Sequence, residues 1–368
     1  MAQKNETPVL ILALLITVSL IGAGVWWFTR QSGFNLGSFA QPNSSTPSVG
    51  TGQTGQATPT AIPTATSASP VGQTTGDRFA SVQNVPSGVF NYGGSTSWAP
   101  IRSQVDRAIQ SELPAFQLRY TDPLTGVPGS STGIRMLLDN QLAFSQSSRS
   151  LKPEEYQEAQ QRGFTLQEIP VAIEGIAIAV HPSLNIPGLT ITQLQGIYTG
   201  QITNWNQVGG PDLVIVPYSR RIESGGTVEF FVDNILDGQP FGNSVHFIGT
   251  TTEALRELSA NTGGLYYASA PEVIGQCTTK PLAIGRRADQ LVAPYQEPLV
   301  PPSQCPTQRN QINADALKQG EYPITRRLFV IVKQNGQTDQ QAGTAYANLL
   351  LTDQGQQLLE QTGFVRIR

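Results

Sequence analysis

Four times in this chain an extended, mostly apolar segment runs into a short loop rich in Ser, Thr and Gly. Each loop then opens onto helical periodicity. The loops are Asn91–Pro100, Gly129–Gly133, Gln146–Ser150 and Ser219–Thr227. Strand, polar loop and helix in repeated alternation restrict the chain to an α/β fold, because such loops gather at the carboxyl ends of strands around one crevice. The first N–H groups of a helix have no internal partner and carry partial positive charge. Hydroxyls and glycines let a bound group approach them closely, and Arg220 and Arg221 in the last loop add full charges. The pattern therefore predicts a cage for a small oxyanion. Turn chemistry alone accounts for any one such loop; it is the recurrence that points to a ligand.

The elements around the loops follow from spacing. Val85–Phe90 reads as a strand, and Ile101, Val105, Ile109 and Leu113 recur at helical intervals, with Thr96 or Ser97 as cap, Pro100 in the first turn and Pro114 as stop. Phe116–Tyr120 is a second strand, followed by a short helix through Ile134, Leu137 and Leu138. Leu142–Ser145 is a third strand, and a helix runs from Lys152 or Pro153 to Gly163. Ile191–Tyr198 and Thr252–Leu258 predict helices. Leu213–Val216 predicts the strand before the last loop, and Val228–Leu236 the helix after it. Ala342–Gln361 predicts one final helix stopped by Gly363.

Two long apolar strands, near 169–180 and 327–333, bracket the middle of the chain; the first is broken by Gly175. They have the character of crossovers between two lobes, with a ligand between the lobes and closure about a hinge. The expected organisation is lobe 1 from 80–172 and 327–368, with lobe 2 inserted as 173–326.

Pro8–Phe28 is almost wholly apolar and long enough to cross a bilayer core of about 30 Å, with Trp26 and Trp27 at its end. It predicts an uncleaved transmembrane signal anchor over 1–30, with a cleavable signal peptide as the rival reading. From Gln31 to Gly76 no residue is charged, and Ser, Thr, Gly, Pro and Gln dominate, so 31–79 reads as a disordered tether. Cys277 and Cys305 are the only cysteines, and in an exported chain such a pair predicts a disulfide.

With 26 acidic and 23 basic side chains the net charge is −3, which gives no electrostatic footprint for nucleic acid. Only two histidines occur, His181 and His246, neither beside an obvious nucleophile, and no metal-ligand spacing or dinucleotide fingerprint is present. The expectation is a binding protein, not an enzyme, without cofactor or metal.

Several segments then carry a specific likeness. Ile169-Pro170-Val171 with Gly175-Ile176-Ala177, the run Leu194-Gln195-Gly196-Ile197-Tyr198-Thr199-Gly200-Gln201-Ile202-Thr203-Asn204-Trp205, the loop Arg221–Thr227, Gly264-Leu265-Tyr266-Tyr267 and Thr352-Asp353-Gln354-Gly355-Gln356 stand in consistent order. Over roughly 85–368 the chain resembles the phosphate-binding subunit of bacterial phosphate ABC transporters, a type II periplasmic-binding-protein family. The resemblance implies two mixed-sheet lobes joined by two crossover strands, and inorganic phosphate in the cleft. It also implies a monomer that delivers phosphate to ABC permease subunits on the extracytoplasmic face of the inner membrane. A membrane-tethered sensor or scaffold for phosphate or another oxyanion is the alternative reading.

Position by position, the resemblance implies phosphate contacts from Thr96, Ser97, Ser130, Arg221, Gly225, Gly226 and Thr227, with Ser131, Arg149, Arg220 and Ser224 as further candidates. Two departures stand out. The family's Gly-Ser-Gly-Thr loop is here Ser224-Gly225-Gly226-Thr227, and the family's fourth-loop Asp, which accepts the ligand's proton, falls at Gln146. A neutral amide both donates and accepts, so weaker discrimination between phosphate and sulfate is expected.

Overall fold

The computed structural model describes residues 78–222, 225–305 and 307–367. The predicted anchor and nearly all of the predicted tether lie outside these residues. Among the described residues no helix is long and apolar enough to cross a membrane.

The fold hangs on one strand. β4 (Thr165–Val180) follows β1 (Gly88–Gly94), β2 (Phe116–Tyr120) and β3 (Phe144–Ser147) in the chain. It precedes β5 (Val216–Ser219), β6 (His246–Phe247), β7 (Gly264–Ser269) and β8 (Thr325–Gln334). The spatial order is β2-β1-β3-β8-β4-β7-β5-β6. Antiparallel pairing of β4 with β8 runs from Thr165↔Gln334 to Gly175↔Thr325; from Ile176↔Ser269 onward the same strand pairs with β7. Gly175 is thus the position at which β4 changes neighbour. A Cβ there would stand 2.6 Å from Leu317 Cδ2, so the Leu317 side chain would have to shift to admit one.

The change of neighbour is also a change of core. Ile169, Val171 and Ala172 pack with Phe90, Trp98, Phe144 and Tyr346, whereas Ile176, Ile178 and Val180 pack with Tyr198, Trp205, Phe231 and Tyr267. Two mixed-sheet lobes result, joined by β4 and β8. The helical run that opens at Thr96 comprises a 3-10 turn, Thr96–Trp98, two α segments and a π turn, Arg102–Asp106. α1 (Ser130–Leu138) and α2 (Pro153–Gln161) complete the first half of lobe 1. α3 (Ile191–Tyr198), α4 (Gly226–Asn234) and α5 (Thr251–Ala260) belong to the inserted lobe.

The run Gly196–Trp205, the most specific part of the resemblance, is a packing unit. Trp205 and Tyr198 are fully buried; the Trp205 indole donates to Gly263 O (3.1 Å) and Tyr198 Oη to Tyr218 O (3.1 Å). Cys277 and Cys305 form the expected disulfide, with Cα atoms 5.6 Å apart.

Four expectations need correction. The final helix is two helices, α6 (Thr338–Leu350) and α7 (Asp353–Gln361). Thr352 breaks the run by capping α7: its Oγ1 accepts from Gly355 N at 3.0 Å. The strand predicted at Leu142–Ser145 is found at Phe144–Ser147, and the one predicted at Leu213–Val216 begins only at Val216 and runs to Ser219. Ladder hydrogen bonds carry each strand past its apolar run into polar residues. The first strand likewise runs on through Gly94.

Candidate functional site

Those polar strand ends deliver the loops to one place. Gly94 adopts φ +123, and a Cβ on it would lie 2.2 Å from Gln146 O, so β1 and β3 approach as only glycine permits. Beyond them lies a cluster of fully buried serines. Ser95 Oγ donates to Ser148 Oγ (2.9 Å), which is 3.2 Å from Ser130 Oγ, and Ser130 Oγ also accepts from Ser148 N (3.1 Å).

The inserted lobe meets this cluster with Gly225 and Gly226. A Cβ on Gly226 would stand 2.8 Å from Ser148 Oγ and 2.9 Å from Ser130 Oγ; one on Gly129 would stand 3.5 Å from Gly225 Cα. α1 and α4 therefore begin side by side, each behind a glycine N-cap without a side-chain cap bond. Their unpaired N–H groups and the opening turn at Thr96 bring three helix starts together.

Beside them is a cavity of about 380 Å³ between the lobes, walled by Thr96 and Ser97 on one side and Arg220, Thr227, Ser269 and Glu272 on the other. Ser97 Oγ is 3.3 Å from Thr227 Oγ1. Burial raises the pKa of the Glu272 carboxyl, against the lowering influence of Arg220.

The predicted residues divide clearly. Thr96, Ser97 and Thr227 line the cavity, and Ser130, Gly225 and Gly226 meet in the buried cluster beside it. Arg221 does neither: it is exposed, with its guanidinium 5.1 Å from the Phe247 ring centroid, and it borders a different surface hollow. Arg220 takes the place in the cavity wall. Gln146 also turns elsewhere. It is fully buried, and strand alternation sets its side chain with Phe144 on the face that meets Tyr346. Its amide donates to Tyr346 Oη (2.8 Å) and accepts from Arg102 Nη1 (2.7 Å). The fourth-loop group at the cluster is Ser148. Ser131 and Arg149 bond to Glu229 and Glu155 and do not line the cavity. Ser224 lies outside the described residues.

Arg326 escaped the sequence reading. It is buried in β8. Its Nη2 donates to Ser97 Oγ (2.7 Å) and Thr227 Oγ1 (3.0 Å), its Nη1 to Gly226 O (2.9 Å) and its Nε to Glu174 Oε2 (2.6 Å). A signal existed: Glu174 is the one charged residue in the apolar run 169–180, and Arg326 is its register partner on β8.

This is chemistry for holding an anion: hydroxyl and backbone donors, guanidinium charge and a cavity that two lobes enclose. Together with the crossover topology it defines a two-lobed solute-binding protein of the type II periplasmic class. The chain belongs to the PBP superfamily, whose domain model matches residues 43–354.

Among its relatives, the phosphate-binding protein PstS of Staphylococcus haemolyticus is 24% identical over 276 residues, covering 74% of this chain and 79% of that protein. PstS of Borreliella burgdorferi is 26% identical over 290 residues, covering 76% and 90%. A solved structure of a phosphate ABC transporter substrate-binding protein from Clostridium perfringens, described as putative and holding bound phosphate, superposes with a TM-score of 0.60 at 21% identity. It covers 76% of this chain and 100% of that one. A phosphate transport receptor from Vibrio cholerae superposes at 0.59, with 21% identity, covering 75% and 99%. At such identities the structures speak for the fold.

Proposed function

We propose that this protein captures inorganic phosphate in the interlobe cavity and presents it to an ABC-type permease on the extracytoplasmic side of a bacterial inner membrane, anchored through its N-terminal segment. The carrying observation is the meeting of three helix starts with Thr96, Ser97 and Thr227 at a cavity that Arg220 enters. Backbone N–H groups and hydroxyls supply donors, and Arg220 supplies charge to a dianion. Arg326 holds Ser97 and Thr227 in place from behind. Lobe boundaries near 172/173 and 326/327 fit the hinge this requires, and the protein acts as a monomer. The name shared by its sequence relatives, phosphate-binding protein PstS, supports phosphate over other oxyanions.

The site is read as a binder and not a phosphatase because its lining offers hydroxyl and guanidinium donors suited to holding an anion. Calorimetry of the full-length protein with phosphate and sulfate tests the reading. One phosphate per chain is expected, with loss of about a hundredfold in affinity for Arg220→Ala. No heat with phosphate, or turnover of a chromogenic phosphoester, overturns it.

A further inference from the structure

Glu229 lies in the first turn of α4, in the inserted lobe. An acidic residue there favours the helix through its dipole, but this does not explain which way the carboxylate turns. It reaches across to lobe 1. Ser131 Oγ, on α1, donates to Glu229 Oε2 at 3.1 Å, and the same hydroxyl accepts from Arg149 Nη2 at 2.8 Å. Arg149 is itself fixed within lobe 1, since Glu155 accepts from Nη2 at 2.7 Å and from Nη1 at 3.0 Å, and Ser150 O accepts from Nη1 at 2.8 Å. One donor remains. Arg149 Nε is buried and makes no hydrogen bond, and Glu229 Oε2 stands 3.6 Å from it.

We propose that Glu229 and Arg149, bridged by Ser131, form a latch between the lobes that sets how tightly the binding protein holds its anion without touching it. A further approach of about half an ångström turns the 3.6 Å contact into a charge-assisted hydrogen bond and satisfies the last donor of Arg149. The bond exists only when the lobes are together, so its free energy adds to the closed form alone. None of the three residues lines the cavity. The effect on phosphate rests on the function proposed above; the effect on lobe separation does not.

The sign of the effect separates this role from ordinary electrostatics. Removing a carboxylate near an anion site tightens anion binding if long-range charge dominates. Breaking a latch weakens it. In the full-length protein, Glu229→Gln is expected to raise the phosphate Kd about tenfold, chiefly through faster release. Arg149→Gln is expected to do the same, and the double variant to add little to either. Unchanged or tighter binding in Glu229→Gln, or additive losses in the double variant, overturns the latch. A second readout uses no phosphate: spin labels on Leu124→Cys, in lobe 1, and Val214→Cys, in the inserted lobe, are expected to move apart in the Glu229→Gln background. An unchanged separation overturns the latch, whereas a wild type that binds no phosphate overturns only the proposed function.

Discussion

Arg326 Nη2 stands 3.0 Å from Thr227 Oγ1 across 99 positions of sequence. The same guanidinium bonds Ser97 of lobe 1, the Gly226 carbonyl of the inserted lobe and Glu174 of the neighbouring crossover strand. The side chain that ties the two crossover strands together is thus also the one that touches hydroxyls from both lobes. The crossover strands and the candidate site share one residue.

Arg326→Met leaves Glu174 as a buried carboxylate without its cation. Loss of about 3–5 kcal/mol of unfolding free energy is expected in urea denaturation. Adding Glu174→Gln removes the orphaned charge and is expected to recover a substantial part. Equal stabilities for single and double variants contradict the pairing.

Arg220 and Arg221 are neighbours with opposite fates, one in the cavity wall and the other over Phe247 at the surface. Arg221→Ala is expected to leave the phosphate Kd within about threefold, against the hundredfold loss for Arg220→Ala. Calorimetry on the two single variants decides it, and a reversed ranking assigns the ligand's charge partner to Arg221.

Gly226→Ala places a methyl against Ser130 and Ser148 of the other lobe, at separations under 3.0 Å. Alanine suits a helix, so the ligand-free Tm is expected to hold or rise slightly. The rise in Tm on adding phosphate is expected to shrink, because the lobes no longer meet. Differential scanning fluorimetry with and without phosphate reads both.

Asp106 is fully buried, and burial pushes its pKa up to about 6 against the hydrogen bonds donated by Tyr92 and Tyr346. A folded-state pKa above the unfolded value means that the folded state binds the extra proton. This group's contribution to stability therefore falls as pH rises from about 4 to about 6, by on the order of 3 kcal/mol. Asp106→Asn is expected to lose that slope. Urea denaturation of both proteins across pH 4–7 checks it: their difference in stability is to vary with pH in this window and level off above it.

The fold was legible because the residues that make it are apolar and periodic. Phe116–Tyr120 and Ile191–Tyr198 have the predicted bounds, and the change of lobes falls at the glycine that interrupts the longest strand. The site was legible only as loops. Which side chain enters the cavity depends on the last residue of a strand, since successive residues of an extended chain face opposite ways. That end is hidden when the strand continues through polar residues such as Ser145–Ser147 or Pro217–Ser219. The choice between Arg220 and Arg221 turns on this point, whereas Gln146 is drawn away from the site by Tyr346, 200 positions further along the chain. Ser130 and Thr227 were easier, because each sits at a helix start next to a glycine. Arg326 was hardest, since its meaning depends on a partner 152 positions away.

Phe79 is fully buried in the core of lobe 1, and its backbone N–H donates to Gln354 Oε1 of α7 at 2.9 Å. Traction arriving along the chain at residue 78 is therefore borne by lobe 1 and does not cross the hinge. In the hinged arrangement proposed above the inserted lobe is the free arm of the pair, and pulling on the amino-terminal end is expected neither to pry the cleft open nor to clamp it shut.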